Sequence, residues 1–384
     1  MSGPNLTPGS AQRTTASADA VMKGHGFYNE HSHPQQKADS LGLPLLERAV
    51  EEMTVPQEAE PAAVADFGAA QGRNSLGPMR LAVEMLRRRT TVSTPILVIH
   101  TDLPQNDFGS LFALVEASPE GYLRSVENVF ALAAGKSFYE RIFPDGYLSL
   151  GWTAISVHWL SKVPCNIPDH VYAQRAGLRV RKAYAEQAGE DWQRFLGHRA
   201  RELGPGGELI VVAVTTDDTG NTGGEFLMDL TNEPVLAMVE AGFIRPEEYT
   251  RMNMPAYHRT MEEFTEPLRS GTLTEDLILK EGIRAEFSDQ LWPEYEQTGD
   301  ANAFAASYTE FMRAFTEAPL FAGLDADRTP ADRERLANEY FERMKSLIEA
   351  NPKRARWDWH VALLRVAKNA QASLLTDVPG ETVR

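Results

Sequence analysis

The chain has 384 residues, with 38 basic and 54 acidic side chains and a net charge of -16 at pH 7. This length favours one large α/β domain with an added subdomain, or two domains. The negative charge argues against nonspecific attraction to nucleic acid or to an anionic membrane, so a small molecule or a protein is the expected partner.

The single cysteine, Cys165, excludes an internal disulfide bond and fits a reducing compartment. No apolar run is long enough to span a bilayer, and the N-terminus lacks a signal-peptide pattern. We therefore predict a soluble, cytoplasmic protein. Its Ala and Arg content is compatible with a bacterial source.

The first part of the chain predicts a tail followed by a βαβ unit. Residues 1–20 are rich in small and polar side chains and are expected to be disordered. After a helical pattern over Leu45–Met53, we predict a buried strand over Val64–Phe67, an amphipathic helix over Leu76–Arg89 and a second strand over Ile96–His100. Strand, helix and strand in this order imply a parallel sheet.

The middle of the chain continues the alternation of strands and helices. We predict two short strands, a long helix broken near Gly177 and Gly189, a strong strand and a helix, over Ala131–Ala134, Tyr147–Leu150, Tyr172–Leu203, Leu209–Thr215 and Pro234–Glu240. Beyond Arg245 the pattern changes to helices joined by polar turns, over Glu262–Arg269, Ala301–Phe315, Asp332–Ile348 and His360–Ala372. This half therefore predicts a mainly helical module laid over a sheet.

The stretch "VADFGAAQGRNSLGPM", residues 64–79, follows the first strand and has the spacing of a ligand-binding loop. Gly68 and Gly72 permit close approach of the backbone to a ligand. The stretch completes neither the phosphate-binding pattern with its lysine nor the three-glycine dinucleotide pattern. A nucleoside ligand without phosphate remains, and S-adenosylmethionine is such a ligand.

Two acids end the first two strands. Asp102 is placed to accept hydrogen bonds from a ribose diol, and Asp66 is placed to face a cationic group. The alternative is that each acid caps the helix that follows it. Spacing alone leaves both interpretations open.

Several longer motifs resemble one known family, the SABATH methyltransferases, which comprise the salicylate, benzoate and jasmonate carboxyl methyltransferases and the caffeine-type N-methyltransferases. The motifs, in the family's order and spacing, are "MKGHGFYNEHSHPQ" (22–35), "ADFGAAQGRNSL" (65–76), "HTDLPQNDF" (100–108), "GKSFYERIFPDGYLSL" (135–150) and "SVHWLSKVP" (156–164). The resemblance is weaker through "PGGELIVVAV" and "EAGFIRPEEYTRMNMPAY" (240–257).

The resemblance implies an α/β fold, with a Rossmann-like class I methyltransferase sheet and a mainly helical cap, in a homodimer. The core would comprise residues 21–245, with a helical insertion at about 165–203. Residues 246–384 would form the cap, whose last helix would pack on the core.

The resemblance also implies residue roles. The residues that would contact S-adenosylmethionine are Tyr28, Ser32, Asp66, Asn74, Asp102, Leu103, Ser137 and Phe138. Gln35 and Trp159 would donate hydrogen bonds from the amide and the indole N–H to the two oxygens of an acceptor carboxylate. His158 and Ile155 would line the acceptor pocket, and the alternative for His158 is a hydrogen-bonded core histidine.

Three departures limit the resemblance. Ala69, Ala70 and Gln71 replace the family's usual small residues between the two glycines, so the contacts around the methionine portion are expected to differ. Ile155 replaces an aromatic residue of the acceptor pocket and disfavours clamping of a salicylate-like ring. The positions of a magnesium site found in some members read Ile167, Thr250, Met252 and Asn253, and we predict no metal.

The sequence thus predicts an S-adenosylmethionine-dependent carboxyl O-methyltransferase that acts on a small, partly apolar acid. N-methylation of a heterocycle is the nearest alternative, and Gln35 together with Trp159 favours the carboxylate. A binding protein that retains the nucleoside pocket without catalysis is the third interpretation. The pair His31 and His33 is not expected to bind a metal, because few acids are near them in sequence.

Overall fold

A computed structural model describes residues 22–24, 27, 29, 33–57, 60–271 and 273–370, with the side chains of 33–36 and 287 not included. The predicted tail over residues 1–20 lies outside this part of the chain. So do Tyr28, His31 and Ser32.

The strands of the described residues form a seven-stranded sheet with the order β3-β2-β1-β4-β5-β7-β6. The first five strands in sequence are parallel, and β7 runs antiparallel to both of its neighbours. The strands are β1 (Ala62–Phe67), β2 (Ile96–Asp102), β3 (Val129–Gly135), β4 (Leu148–Ala154), β5 (Leu203–Thr215), β6 (Leu277–Ser288) and β7 (Asp358–Lys368).

Helices cover the two faces of this sheet. They are α1 (His33–Glu52), α2 (Arg73–Arg89), α3 (Phe108–Ala117), α4 (Leu178–Glu202), α5 (Glu225–Glu240), α6 (Pro246–Tyr249), α7 (Met261–Arg269), α8 (Leu291–Thr298), α9 (Ala301–Phe321) and α10 (Pro330–Ala350). Short 3-10 helices are formed by Tyr122–Arg124, Ala173–Arg175 and Pro352–Ala355. In the described part of the chain, no helix is long and apolar enough to cross a membrane.

The predicted strand–helix–strand unit at the start of the sheet is confirmed. The two strands pair in parallel register, with Val64 beside Val98 and Asp66 beside His100. The helix between them buries one apolar face, and its last turn carries the three arginines Arg87–Arg89, where they complement the helix dipole.

The predicted break of the long helix at Gly189 is wrong. The helix begins after Gly177, as predicted, but α4 continues through Gly189, which is exposed and has open space around it. A glycine inside a helix costs only about 1 kcal/mol relative to alanine. The buried side chains of Trp192 and Phe195 on the same helix offset this cost.

The helix predicted over His360–Ala372 is also wrong, because residues 358–368 form strand β7. The apolar residues of this segment lie in the sheet between β5 and β6. A continuous apolar run shows neither the period of an amphipathic helix nor the alternation of a half-exposed strand, so its sequence does not distinguish a buried strand from a buried helix. Two of the seven strands therefore come from the half of the chain that was predicted to be a mainly helical cap. The division near residue 245 stays a prediction.

The parallel strands bring the ends of β1, β2 and β4 to one edge of the sheet. Asp66 near the end of β1 is the register partner of both His100 in β2 and Trp152 in β4. Ligands in such sheets bind outside the carboxyl ends of the strands. The two predicted acids, Asp66 and Asp102, lie at this edge.

Candidate active site

A cavity of about 830 Å3 opens at the carboxyl ends of the strands. Among its lining residues are most of those predicted for the site, namely Asp66, Asn74, Asp102, Leu103, Ser137, Phe138, Ile155, His158 and Trp159. Gln35 lies in α1, but its side chain is not described. The fold therefore brings the predicted cofactor end and the predicted acceptor end into one cavity.

The loop between β1 and α2 adopts the backbone that its glycines predict. Gly68 and Gly72 have φ values of 86° and 92°, in the left-handed region that favours glycine. A Cβ at Gly68 would lie 2.3 Å from the Oγ atom of Ser156, which follows β4. This loop and the segment after β4 thus meet at a distance that only a glycine permits.

Asp102 organises the same loop from the neighbouring strand. Its two carboxylate oxygens accept hydrogen bonds from the backbone N–H groups of Ala70 and Leu103, both at 2.7 Å. Burial raises the pKa of this carboxyl to about 6, although the two N–H donors oppose the shift. Each oxygen keeps a lone pair with which it can accept a hydrogen bond from a hydroxyl in the cavity.

Asp66 is buried at the floor of the cavity, with 4% of its surface exposed. One of its oxygens lies 3.7 Å from Nδ1 of His100, which is too far for a hydrogen bond. The ring of His100 is held instead by the hydroxyls of Ser75 and Tyr122, at 3.1 and 2.9 Å. The carboxylate of Asp66 is therefore available to a cationic group in the cavity.

Gln71 is almost completely buried and connects the loop after β1 to the segment around Lys23. It is one of the three residues at which a difference from the family was predicted. Its side-chain amide donates to the backbone carbonyl oxygen of Lys23 at 2.6 Å, and the backbone carbonyl oxygen of Gln71 accepts from the side-chain amide of Asn29 at 2.8 Å. Lys23 in turn pairs with Glu317 of α9 at 3.1 Å. Gln71 thus links the loop, the N-terminal segment and the helical half of the chain.

The segment over 136–143 forms another wall, and two residues that the sequence did not single out hold it. Arg199 donates to the carbonyl oxygens of Phe138 and Glu140 at 3.0 and 3.1 Å. Glu202 accepts from the backbone N–H groups of Ile142 and Phe143 at 2.6 and 3.1 Å.

The side chains of Arg199 and Glu202 are fully buried and form an ion pair at 2.7 Å. Burial lowers the pKa of Arg199 to about 10, which the carboxylate of Glu202 partly opposes. Their spacing of three residues along a helix was the available sequence signal. This spacing did not reveal that the side chains of Arg199 and Glu202 are both buried.

The acceptor end of the cavity is formed by residues that follow β4. His158 and Trp159 are in contact, with ring centroids 4.9 Å apart, and the hydroxyl of Tyr139 donates to the carbonyl oxygen of Trp159 at 2.6 Å. Ile155 takes a positive φ of 48°, which is unusual for a β-branched residue. Strain of this kind concentrates at functional sites.

A second histidine, His258, lies opposite His158 with ring centroids 5.9 Å apart, and sequence reasoning missed it. Burial lowers the pKa of His258 to about 4 and holds the pKa of His158 well below its ordinary value, assisted there by His258 and Arg259. Both imidazoles are therefore neutral near pH 7. Their Nδ1 atoms have no hydrogen-bond partner among the described residues. The two interpretations of His158, a contact to the acceptor and a core histidine, both stay predictions.

The four positions matched to a magnesium site are occupied by protein contacts. The Oδ1 atom of Asn253 accepts from the backbone N–H of Ile167 at 3.2 Å, and its amide donates to the carbonyl oxygen of Thr250 at 3.2 Å. Among the described residues, no group of three His, Cys, Asp or Glu side chains is placed to hold a metal ion.

The part of the cavity at the ends of β1 and β2 fits a cationic group better than a phosphate. Asp66 and Asp102 are joined in its lining by a third carboxyl, that of Asp39 in α1. Clustered carboxyls repel phosphate and favour a cation. The fold and this site define an S-adenosylmethionine-dependent methyltransferase.

The comparisons identify the family. A family model described as SAM dependent carboxyl methyltransferase matches residues 19–364, and the chain belongs to this family. The chain is 27% identical to gibberellic acid methyltransferase 2 of Arabidopsis thaliana, over 91% of this chain and 95% of that protein. It is 28% identical to methyltransferase LUC1 of Fusarium sp, over 64% of this chain and 65% of the length of that relative.

The fold is confirmed by a solved structure, loganic acid methyltransferase with SAH. It has a TM-score of 0.74 and 21% sequence identity, and the match covers 91% of this chain and 98% of that chain. This structure confirms the predicted Rossmann-like fold. The match to the family model confirms the predicted cofactor and the predicted carboxyl methyltransferase activity.

Proposed function

We propose that this carboxyl methyltransferase esterifies a small, partly apolar acid whose carboxylate lies between Gln35 and Trp159. The observation that supports this most directly is a single cavity with a carboxyl-rich end and an apolar end. The apolar end includes the side chains of Leu227, Met228 and Phe315. An acceptor with an apolar body would bury that body there.

The reaction needs little proton transfer. When bound, the cofactor supplies a methyl group on a positively charged sulfur. A carboxylic acid has a pKa of about 4, so its carboxylate is already the nucleophile at neutral pH. One of its oxygens forms the new bond to the methyl carbon, while the carbon–sulfur bond breaks and its electron pair stays on sulfur.

The chain therefore contributes mainly by positioning. In our proposal Asp102 holds the ribose, Ser137 and Phe138 border the adenine, and Trp159 fixes one carboxylate oxygen. Orientation of this kind is worth roughly 7 to 11 kcal/mol in favourable cases. No general base is required, and the neutral histidines 158 and 258 are proposed to contact the acceptor rather than to remove a proton.

The experiment that tests this function uses methyl-labelled S-adenosylmethionine. The purified protein is incubated with a panel of aromatic, indolic, terpenoid and fatty acids together with xanthines. A base-labile labelled ester from one class of acid is the expected result. Label on a xanthine alone would overturn the ester assignment, and binding of the cofactor without transfer to any acceptor would favour a binding protein.

The homodimer and the cytoplasmic location are likewise proposals. The family resemblance supports the homodimer. Exposed apolar side chains on edge strand β3 also support it, because Phe130 and Leu132 have 50% and 43% of their surface exposed. Light scattering on the purified protein tests this state, and a monomer at micromolar concentration would contradict it. The reducing compartment has its support in the single cysteine.

A further inference from the structure

Asp39 is a buried acid that neither the motifs nor the proposed reaction uses. It lies in the first half of α1, its exposed surface is 4%, and it lines the cavity. Its Oδ1 atom has no hydrogen-bond partner among the described residues. A buried polar atom without a partner costs free energy, so such an atom beside a cavity points to a ligand.

The sheet register shows where Asp39 lies. Asp66 and Trp152 are register partners in adjacent parallel strands, so their side chains project from the same face of the sheet. Gly42 lies about one turn after Asp39 in α1, and a Cβ there would be 2.8 Å from the ring of Trp152. Helix α1 therefore crosses directly over this face, with Asp39 close to Asp66.

Burial and a neighbouring carboxylate disfavour the ionised form of Asp39 in the free protein. Burial raises the pKa of Asp39 well above its ordinary value, and the carboxylate of Asp66 raises it further. Titratable groups near Asp66 at this edge include His100, Tyr122, which is bonded to His100, and Asp102 at the end of β2. The cations in the cavity lining are Lys136, Arg141 and Arg194. Strands β4 and β5 lie under α1 at Gly42 and contribute the side chains of Trp152 and Val212 there, which carry no charge.

We propose that Asp39 and Asp66 together bind the ammonium group of the methionine portion of S-adenosylmethionine, with Asp39 losing its proton to solvent when the cofactor binds. The proposal rests on the assignment of this cavity to the cofactor. The ammonium group stays protonated, so the proton that Asp39 holds in the free protein is released when the cofactor binds. A second carboxylate beside the ammonium is worth about a tenfold gain in affinity, as for other charge-assisted hydrogen bonds.

The test compares three ligands by isothermal titration calorimetry at pH 7, in two buffers with different heats of ionisation. S-adenosylmethionine and S-adenosylhomocysteine both carry the ammonium group, whereas methylthioadenosine keeps the nucleoside and the sulfur without it. For the wild type, we expect more proton release with the first two ligands than with the third, to which only Asp102 contributes.

The variant Asp39→Asn should bind both amino-acid-containing ligands about tenfold more weakly, with proton release reduced to that seen with methylthioadenosine. It should bind methylthioadenosine as the wild type does. The matched control is Asp289→Asn. Asp289 is another buried acid whose pKa burial raises, to about 6, and it lies outside the cavity lining. The control should leave affinity and proton release unchanged.

A second variant, Asp39→Leu, separates binding from folding. Removal of a buried carboxyl whose Oδ1 atom lacks a partner among the described residues should leave the melting temperature of the free protein unchanged or raised. Equal losses for all three ligands, or unchanged proton release in Asp39→Asn, would overturn the role of Asp39. If the wild type binds none of the ligands, the assignment of the cavity to the cofactor fails instead.

Discussion

The backbone N–H of Ala70 donates to the Oδ2 atom of Asp102 at 2.7 Å and joins the loop after β1 to the end of β2. Ala70 holds a positive φ of 47°, which only a few per cent of residues other than glycine adopt. The carbonyl oxygen of the same residue accepts from the side chain of Asn106 at 2.7 Å. The strained turn is thus fixed on both sides, and the position of Asp102 depends on it.

Replacement of Asp102 should remove cofactor binding. Asp102→Ala deletes both the acceptor for Ala70 and the proposed acceptor for the ribose, and we expect S-adenosylhomocysteine binding to fall below detection in calorimetry. Unchanged affinity in this variant would contradict the ribose assignment.

The pH dependence of binding gives a second measurement on Asp102. Since the pKa of this carboxyl is about 6 in the free protein, it is protonated below that pH and then offers one acceptor fewer to a ribose diol. Affinity for S-adenosylhomocysteine should therefore be about tenfold lower at pH 5 than at pH 7. The measurement is made in Asp39→Asn, so that Asp39 does not contribute, and a flat profile there would argue against an ionised Asp102 in the complex.

Gly68→Ala should destabilise the protein and weaken cofactor binding. The new Cβ would lie 2.3 Å from Oγ of Ser156, and an alanine at φ 86° is strained in any case. We expect the free energy of unfolding to fall by about 1 to 3 kcal/mol. Gly77→Ala is the control, because Gly77 lies inside α2 with nothing within 4 Å, and it should gain up to about 1 kcal/mol. Equal stability of the two variants in urea titrations would show that the close approach at Gly68 does not matter.

Glu202→Gln should destabilise the segment over 136–143. The substitution leaves the guanidinium of Arg199 buried without its carboxylate, a change that typically costs about 3 to 5 kcal/mol. Thermal unfolding and S-adenosylhomocysteine binding should both weaken. Asp145→Asn is the matched control, because its ion pairs with Arg141 and Arg201 involve exposed side chains that water screens, and thermal unfolding should be almost unchanged.

Trp159→Phe and Gln35→Ala should act on the acceptor and not on the cofactor. Each removes one proposed donor to the carboxylate, so KM for the acid should rise about tenfold while S-adenosylhomocysteine affinity is retained. Trp292→Phe is the control, since the Nε1 atom of Trp292 has no hydrogen-bond partner among the described residues and lies away from the cavity. Loss of S-adenosylhomocysteine affinity in Trp159→Phe would contradict the proposal that Trp159 acts on the acceptor alone.

Much of the first half of the fold was predictable because its patterns are local. The strands that contain Val64 and Val98 are apolar runs, each with an acid at or next to its last residue, and the helix between them has a clear helical period. The second half was less predictable. Residues 358–368 have the composition of a buried helix as much as of a strand, and only their pairing with β5 and β6 decides between the two.

The sequence by itself determined the turn chemistry of Gly68 and Gly72, the acids at the strand ends and the motifs that carry the family resemblance, since each depends on residues close together in the chain. Only the tertiary structure decided that Asp39 lies near Asp66, that Arg199 and Glu202 hold a wall of the cavity, and that Gln71 binds the carbonyl oxygen of Lys23. These contacts join residues far apart in sequence. Burial and proximity across a sheet leave no periodic pattern in the chain, and they set the charge of a carboxyl as strongly as its chemistry does.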